Sequence, residues 1–417
     1  MRNLVPLLAV LTVAGCAAAV PAPPPQEHAA ARKPAPHLRK VLVTVVDGDT
    51  GRRVRGARIR VGHRSARTDA RGVAAVPLRR RAALAVSVEQ AGYVTNTIRL
   101  QFRTHPRSTI RVYQRRLQWP AYGVTPQRTQ AQPEIRLRPP FKLVWRYDPP
   151  GGKMASSPAV FGDELVVHGM DGVVRVLDRR TGRLRWQLVV GSPIESSPVI
   201  AHGVDFFGAW NGRIYALDLK RRRLRWTATS GYKITSSAAL AGGRLYIGDY
   251  GGRLLALAER SGRLLWSRSV NGRIYGTPAV AAGRVFVPSS DGNSLTAFST
   301  RGAYLWRRHA GGYVYSSPAV WAGRVVFGSY DGTLYCVSAR TGGTLWAVSA
   351  GGPVSGAAVV VDGVAYAGST WGRITGVDVR TGRVLLRFPH GEYVPVSGNG
   401  RLLLLHGYSR LYAVRPR

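Results

Sequence analysis

Acidic residues are scarce in this 417-residue chain, where 21 Asp and Glu stand against 60 Lys and Arg. The formal charge of +39 excludes an acidic solvating chain. It creates a field that draws any polyanion, whether lipid headgroup, envelope polymer or nucleic acid. The excess is shared, net +20 in residues 1–150 and net +19 in residues 151–417. A genomic bias towards Arg codons yields the same excess, so charge alone names no partner, and nucleic acid is not expected to be one. Cysteine is almost missing. With only Cys16 and Cys336, a disulfide framework and a cysteine-built zinc site are excluded. No stretch beyond the N-terminus reaches 18 apolar residues, so no spanning helix is expected. No H-E-x-x-H, G-x-S-x-G or P-loop pattern occurs, and the nine histidines share no fixed spacing. No catalytic residue, metal ligand or cofactor site is therefore assigned. Glycine (49) and proline (26) are plentiful, which points to many tight turns and few long helices.

The N-terminus reads as an address. Met1-Arg2-Asn3 precedes an apolar stretch, Leu4 to Ala14, that is too short to span a bilayer. Val13-Ala14-Gly15-Cys16 resembles the lipobox of bacterial lipoproteins, and the resemblance implies cleavage before Cys16 and lipidation of its thiol. A rival cut after Ala17-Ala18-Ala19 releases a soluble protein. Residues 1–16 are thus read as signal peptide and lipobox, and the Pro/Ala-rich residues 17–38 as an extended spacer. The expected address is the cell envelope, as an exported, membrane-anchored lipoprotein.

Residues 39–118 hold short strand patterns. Lys40 to Val46 is β-branched and ends in the turn cluster Asp47-Gly48-Asp49-Thr50-Gly51. Gly56-Ala57-Arg58-Ile59-Arg60-Val61 alternates apolar and basic residues, and Thr68-Asp69-Ala70-Arg71-Gly72 and Ala91-Gly92-Tyr93 mark further turns. The alternation predicts a small sandwich with one solvated side per sheet. The succession of motifs resembles the carboxypeptidase regulatory-like (transthyretin-like) domain, whose members are accessory and adhesive modules. Residues 119–140 read as a linker.

From residue 141 to 417 the chain repeats. Trp145, Trp186, Trp226, Trp266, Trp306 and Trp346 are spaced 41 and then 40 residues apart, and one further step reaches Leu386. Each unit offers four strand-like pieces, separated by turns such as Asp171-Gly172, Asn211-Gly212, Asp331-Gly332 and Thr181-Gly182. Four short antiparallel strands per unit make a propeller blade. The last unit has only three strands, and an orphan strand, Phe141 to Trp145, stands at the front. Pairing the two closes the ring. The predicted fold is all-β: a seven-bladed propeller of four-stranded blades with a small N-terminal β-sandwich. The regular Trp spacing assigns those rings to packing between blades.

Arg175 to Trp186 and Ile214 to Trp226 resemble the PQQ-type (quinoprotein-like) repeat, L-x-A-L-D-x-x-T-G-x-x-x-W. Dehydrogenases of that family hold a quinone over a disulfide of adjacent cysteines beside a calcium ion. This chain has no adjacent cysteines and one blade fewer than their eight, so an enzyme is not expected and no cofactor is assigned. A lipoprotein with such repeats also occurs as the scaffold subunit of the outer-membrane β-barrel assembly machinery, with eight blades and no extra domain. The remaining reading is a non-catalytic binding scaffold. Aligning the repeats places Lys153, Lys233, Arg273 and Tyr313 on one ring and Glu195, Tyr275 and Tyr315 on a second, with Trp210, Tyr250, Tyr330 and Trp371 added by hairpin turns. The expected partner is a protein or an acidic envelope component, met by the cations and aromatics of this face. Two alternatives stay open: a periplasmic quinoprotein-type dehydrogenase and a binder of an anionic envelope polymer. A mere plug of the channel mouth accounts for the same residues.

Overall fold

The computed structural model describes residues 39–78, 83–101, 107–115, 141–148, 156–361, 363–388, 396–398, 403–407 and 410–416. Cys16, the spacer 17–38 and the 119–140 linker lie outside them.

The N-terminal unit holds eight strands: β1 (Arg39–Asp47), β2 (Arg58–Val61), β3 (Arg64–Arg67), β4 (Val73–Leu78), β5 (Ala83–Glu89), β6 (Tyr93–Val94), β7 (Asn96–Gln101) and β8 (Arg107–Gln114). They form two four-stranded sheets, ordered β4-β1-β8-β6 and β3-β2-β5-β7. Alternation decides the inner faces. In β2, Ile59 and Val61 are buried while Arg58 and Arg60 face water. Val43, Val45, Val86, Val88 and Ile110 complete the core, and each fully buried side chain of this size contributes roughly 1.5–3 kcal/mol.

The second unit begins with β9 (Phe141–Tyr147) and then β10 (Ala159–Phe161), β11 (Glu164–His168), β12 (Val173–Asp178) and β13 (Leu184–Val189), the last four forming the first blade. Five further four-stranded sheets of the same order follow within residues 199–229, 239–269, 279–309, 319–349 and 359–388. A seventh sheet pairs the strands Val396–Gly398, Leu403–Gly407 and Arg410–Pro416 with β9. The first strand of each blade lies innermost. β10 packs against Val199–Ala201 on one side and Val396–Gly398 on the other, so the composite sheet abuts the first blade. The β-propeller predicted from the repeat is the observed fold. Every outer strand carries a register shift near its Trp position, and such bulges twist an exposed edge away from pairing with other chains.

The repeat motif D-x-x-T-G-x-x-x-W has a physical account at each letter. Asp178 accepts the N–H groups of Arg180 and Thr181 at 3.0 and 2.9 Å, which shapes the turn. Gly182 has φ +72°, and a Cβ there would meet the ring of Trp145, 2.8 Å from its nearest atom. Glycine is therefore needed both for its backbone and for the tryptophan of the preceding blade. The indole N–H of Trp145 donates to the carbonyl of Arg179, and Trp226, Trp266, Trp306 and Trp346 donate to Glu259, Thr300, Ala339 and Val379 in the same way. These five tryptophans each buckle one blade to the next, a structural role.

One seam departs from this pattern. The second blade has no Thr-Gly turn, so Arg222 occupies the glycine position at φ +55°, and Trp186 makes no bond to a main-chain carbonyl there. The same seam buries His168 and Asp205 completely, with Nε2 2.9 Å from Oδ2 and Nδ1 2.7 Å from the Ser196 carbonyl. The ring of His168 packs on Phe207 at 4.7 Å.

The two units touch. Arg179 of the first blade places its guanidinium 3.9 Å from the centre of the Tyr113 ring and 3.4 Å from Asp49.

Candidate functional site: an aromatic row on one propeller face

In a four-stranded meander the loop leading into the first strand and the turn between the second and third strands share one face. Main-chain bonds tie the two together. Trp210 donates to the Pro193 carbonyl at 3.0 Å, Tyr250 to Lys233 at 2.9 Å, and Tyr330 to Tyr313 at 2.9 Å. Bulky side chains on both loops are thereby held at the same height on neighbouring blades.

The result is a continuous row of rings. Tyr250 and Tyr275 lie 6.4 Å apart between centroids, Tyr275 and Tyr315 5.3 Å, Tyr315 and Tyr330 5.0 Å, and Tyr313 lies 5.8 Å from Tyr315. Most of these contacts are edge-on or tilted, the favourable geometry for aromatic pairs. Trp210 joins the row through a cation. The ammonium of Lys233 sits 3.4 Å from the Trp210 ring centre and 4.9 Å from that of Tyr250. Trp210, Tyr275, Tyr313 and Tyr330 are exposed.

Glu195 fastens the row. It accepts the indole N–H of Trp210 at 3.0 Å and the hydroxyl of Tyr275, which reaches it from two blades away. The alignment puts Glu195 beside the rim without giving it a role. No period in the sequence signals a bond between residues 80 positions apart. Burial, then the charge of Glu195, push the Tyr250 phenol up. Burial and the neighbouring tyrosines do the same for Tyr315. These phenols therefore stay neutral donors at neutral pH.

The cations are less free than the alignment suggests. Lys233 is held between two rings, and Arg273 lies 3.7 Å from Asp291 and 5.7 Å from the Tyr250 ring. Lys153 lies outside the described residues. Trp371 is 72 % exposed, yet it stands one residue past the aligned position, which Thr370 fills by donating to the Pro353 carbonyl at 2.8 Å. Trp371 packs over Gly352 instead, and among the described residues no ring contact joins it to the row.

The fold and this face define a β-propeller of the PQQ type. The family profile described as outer membrane protein assembly factor BamB matches residues 141–233, 210–312 and 292–415, and the chain belongs to that family. Among solved structures, BamB from Moraxella catarrhalis is 18 % identical with a TM-score of 0.52, covering 66 % of this chain and 98 % of its own. The quinohemoprotein alcohol dehydrogenase ADHIIG from Pseudomonas putida HK5 is 12 % identical with a TM-score of 0.55, covering 72 % of this chain and 80 % of its own. The computationally designed Ika8 protein is 14 % identical with a TM-score of 0.50, covering 64 % of this chain and all of its own. At these identities the likeness to each structure concerns the fold alone. Comparison with curated protein sequences gives no match.

The residues present do not fit a quinone of the dehydrogenase type. Cys336 is fully buried in a strand, opposite Val326 and Trp346, and burial pushes its thiol up to about 12. The only other cysteine is Cys16, so no adjacent pair exists. Among the described residues no cluster of three His, Cys, Asp or Glu side chains is placed to hold a metal ion.

Proposed function

We propose that this chain is a non-catalytic scaffold of the bacterial cell envelope that holds a protein partner on the aromatic face of its propeller. The observation that supports this most is the row itself. Five tyrosines and a tryptophan are braced by each other and by Glu195, so little side-chain freedom is lost when a partner settles on them. Rigid aromatic anchors of this kind dominate binding energy at protein interfaces. Lys233 and Arg273 flank Tyr250 and favour a partner with acidic groups near its apolar contact.

In this reading residues 1–16 are signal peptide and lipobox, Cys16 carries the lipid, and residues 17–38 space the folded part from the membrane. Residues 39–118 are a carboxypeptidase regulatory-like module, and residues 119–140 link it to the propeller. The chain is not an enzyme.

Cross-linking in intact envelopes, followed by identification of the captured protein, tests the site. Replacing Tyr275, Tyr313 and Tyr330 together by Ala should reduce capture at least roughly tenfold, since anchor residues contribute about 2 kcal/mol or more each. Undiminished capture by a triple variant that melts like the parent overturns the reading.

A further inference from the structure

The propeller is polarised in charge. The turns between third and fourth strands span residues 179–183, 219–222, 259–263, 300–303, 339–343 and 379–383. They contain twelve Lys and Arg and a single acid, Glu259. The opposite face carries the aromatic row. Its loops (190–198, 230–238, 270–278, 310–318 and 350–358) and hairpin turns (169–172, 209–212, 249–252, 290–293, 329–332 and 369–373) contain three basic residues against five acids. A codon bias spreads arginine evenly over a repeat protein; it does not sort it to one face. Arg183, Lys220, Arg260, Arg263, Arg301 and Arg340 are all exposed, and none has an acid partner among the described residues.

Apolar side chains stand directly beside these cations. Leu264 is 51 %, Tyr304 60 % and Leu345 48 % exposed, each at the start of an outer strand. With Arg263, Arg301 and Arg340 they make a basic, apolar corner on three successive blades. A soluble polyanion needs the charges and gains nothing from exposed leucines. A membrane interface needs both: cations for its headgroups and apolar side chains for the boundary beneath them. The N-terminal unit docks on this side as well, through Arg179 of the first blade, so the chain preceding residue 39 joins the molecule through a unit seated on that face.

We propose that the corner formed by the third-to-fourth-strand turns of the third, fourth and fifth blades is a docking surface for an anionic phospholipid bilayer. Bound this way, the propeller turns its aromatic row away from the lipid, towards the compartment where a partner is met. This surface is independent of the aromatic site and stands or falls separately.

Vesicle co-sedimentation tests it, using the full chain with Cys16→Ser so that no acyl chain contributes. The parent should bind vesicles of equal parts phosphatidylglycerol and phosphatidylcholine far better than pure phosphatidylcholine, and less at raised salt. Arg263→Glu with Arg301→Glu should lose roughly tenfold or more, since each basic residue near an anionic surface matters. The charge-matched pair Arg213→Glu with Arg373→Glu, near the opposite face, should bind like the parent. Changing Leu264, Tyr304 and Leu345 to Ser should weaken binding at least roughly threefold. Equal loss in both charge pairs overturns the proposal in favour of generic attraction. An apolar triple that binds like the parent also overturns it, and displacement by soluble polyphosphate then names an anionic polymer as the occupant.

Discussion

Arg179 and Asp49, 130 residues apart in sequence, meet 3.4 Å apart where the N-terminal unit touches the first blade, and neither side chain is more than 6 % exposed. The carboxylate is prepared locally. Asp49 accepts the main-chain N–H of Gln114 at 2.8 Å, and its own N–H donates to Asp47, which also accepts from Tyr93 and the Gln114 amide. Burial raises the Asp49 carboxyl against the pull of Arg179. The Arg179 main chain meanwhile receives the indole of Trp145 on the closing strand β9. One residue therefore sits at both the docking surface and the ring closure.

Removing one partner of such a pair strands a buried charge and costs about 3–5 kcal/mol. Asp49→Ala should therefore undock the N-terminal unit. Calorimetry should resolve two transitions where the parent shows one, and amides of residues 141–147 should exchange faster. The double change Arg179→Met with Asp49→Ala should recover part of the loss, because no charge remains buried. A single unshifted transition in Asp49→Ala contradicts the docking.

Arg222 offers a gain of stability. It holds φ +55° where Gly182, Gly262, Gly302, Gly342 and Gly382 serve the other turns. A left-handed backbone costs a non-glycine residue about 1–2 kcal/mol. Arg222→Gly releases that strain while giving up the guanidinium contact with Trp186, 5.8 Å from its ring centre, and restoring some freedom to the unfolded chain. The expected net gain is about 1 kcal/mol, read as a higher midpoint in urea with unchanged slope. Arg222→Ala should gain nothing. A lower midpoint for the glycine variant means the cation–ring contact outweighs the strain.

The blades were legible in the sequence because their physics is periodic: a Trp recurs every 40 or 41 residues from Trp145 to Trp346, and a turn glycine recurs at Gly182, Gly262, Gly302, Gly342 and Gly382, each acting on its immediate neighbour. The closing partner of β9 was legible for the same reason, since a three-stranded last unit needs a fourth strand. Contacts that skip the period were not. Glu195 to Tyr275 spans two blades, Arg179 to Asp49 joins two units, and His168 with Asp205 crosses the seam between the first two blades. Charge sorting was hidden by counting: halves of the chain look equally basic, whereas the two faces of each repeat do not.

Glu164, at the start of β11, carries the last prediction, and it concerns pH. Burial, and then the neighbouring Asp163 charge, raise its carboxyl from 4.5 to about 7, although Arg185 and Arg222 pull the other way. The ion pairs of Arg185 with Asp163 and Asp178, at 2.8 and 2.6 Å, engage that guanidinium elsewhere. In the unfolded chain the group loses its proton near 4.5, and in the folded chain only near 7. Between those values the folded state holds more protons, so stability falls as pH rises through this window and the penalty is complete above it. Asp47, Asp178 and Asp218 act in the opposite sense at lower pH. Burial opposes them, but their hydrogen bonds lower the carboxyls below 3.8, and their contribution is lost only as the medium becomes strongly acidic. Glu164→Gln removes the charge and keeps the shape. The variant should match the parent near pH 4.5 and exceed it above pH 7 by on the order of 1–3 kcal/mol, a full shift of this size being discounted for partial exposure. Urea midpoints of both proteins at several pH values measure the gap. A gap that stays constant across the window shows that Glu164 ionises in the fold as it does in water.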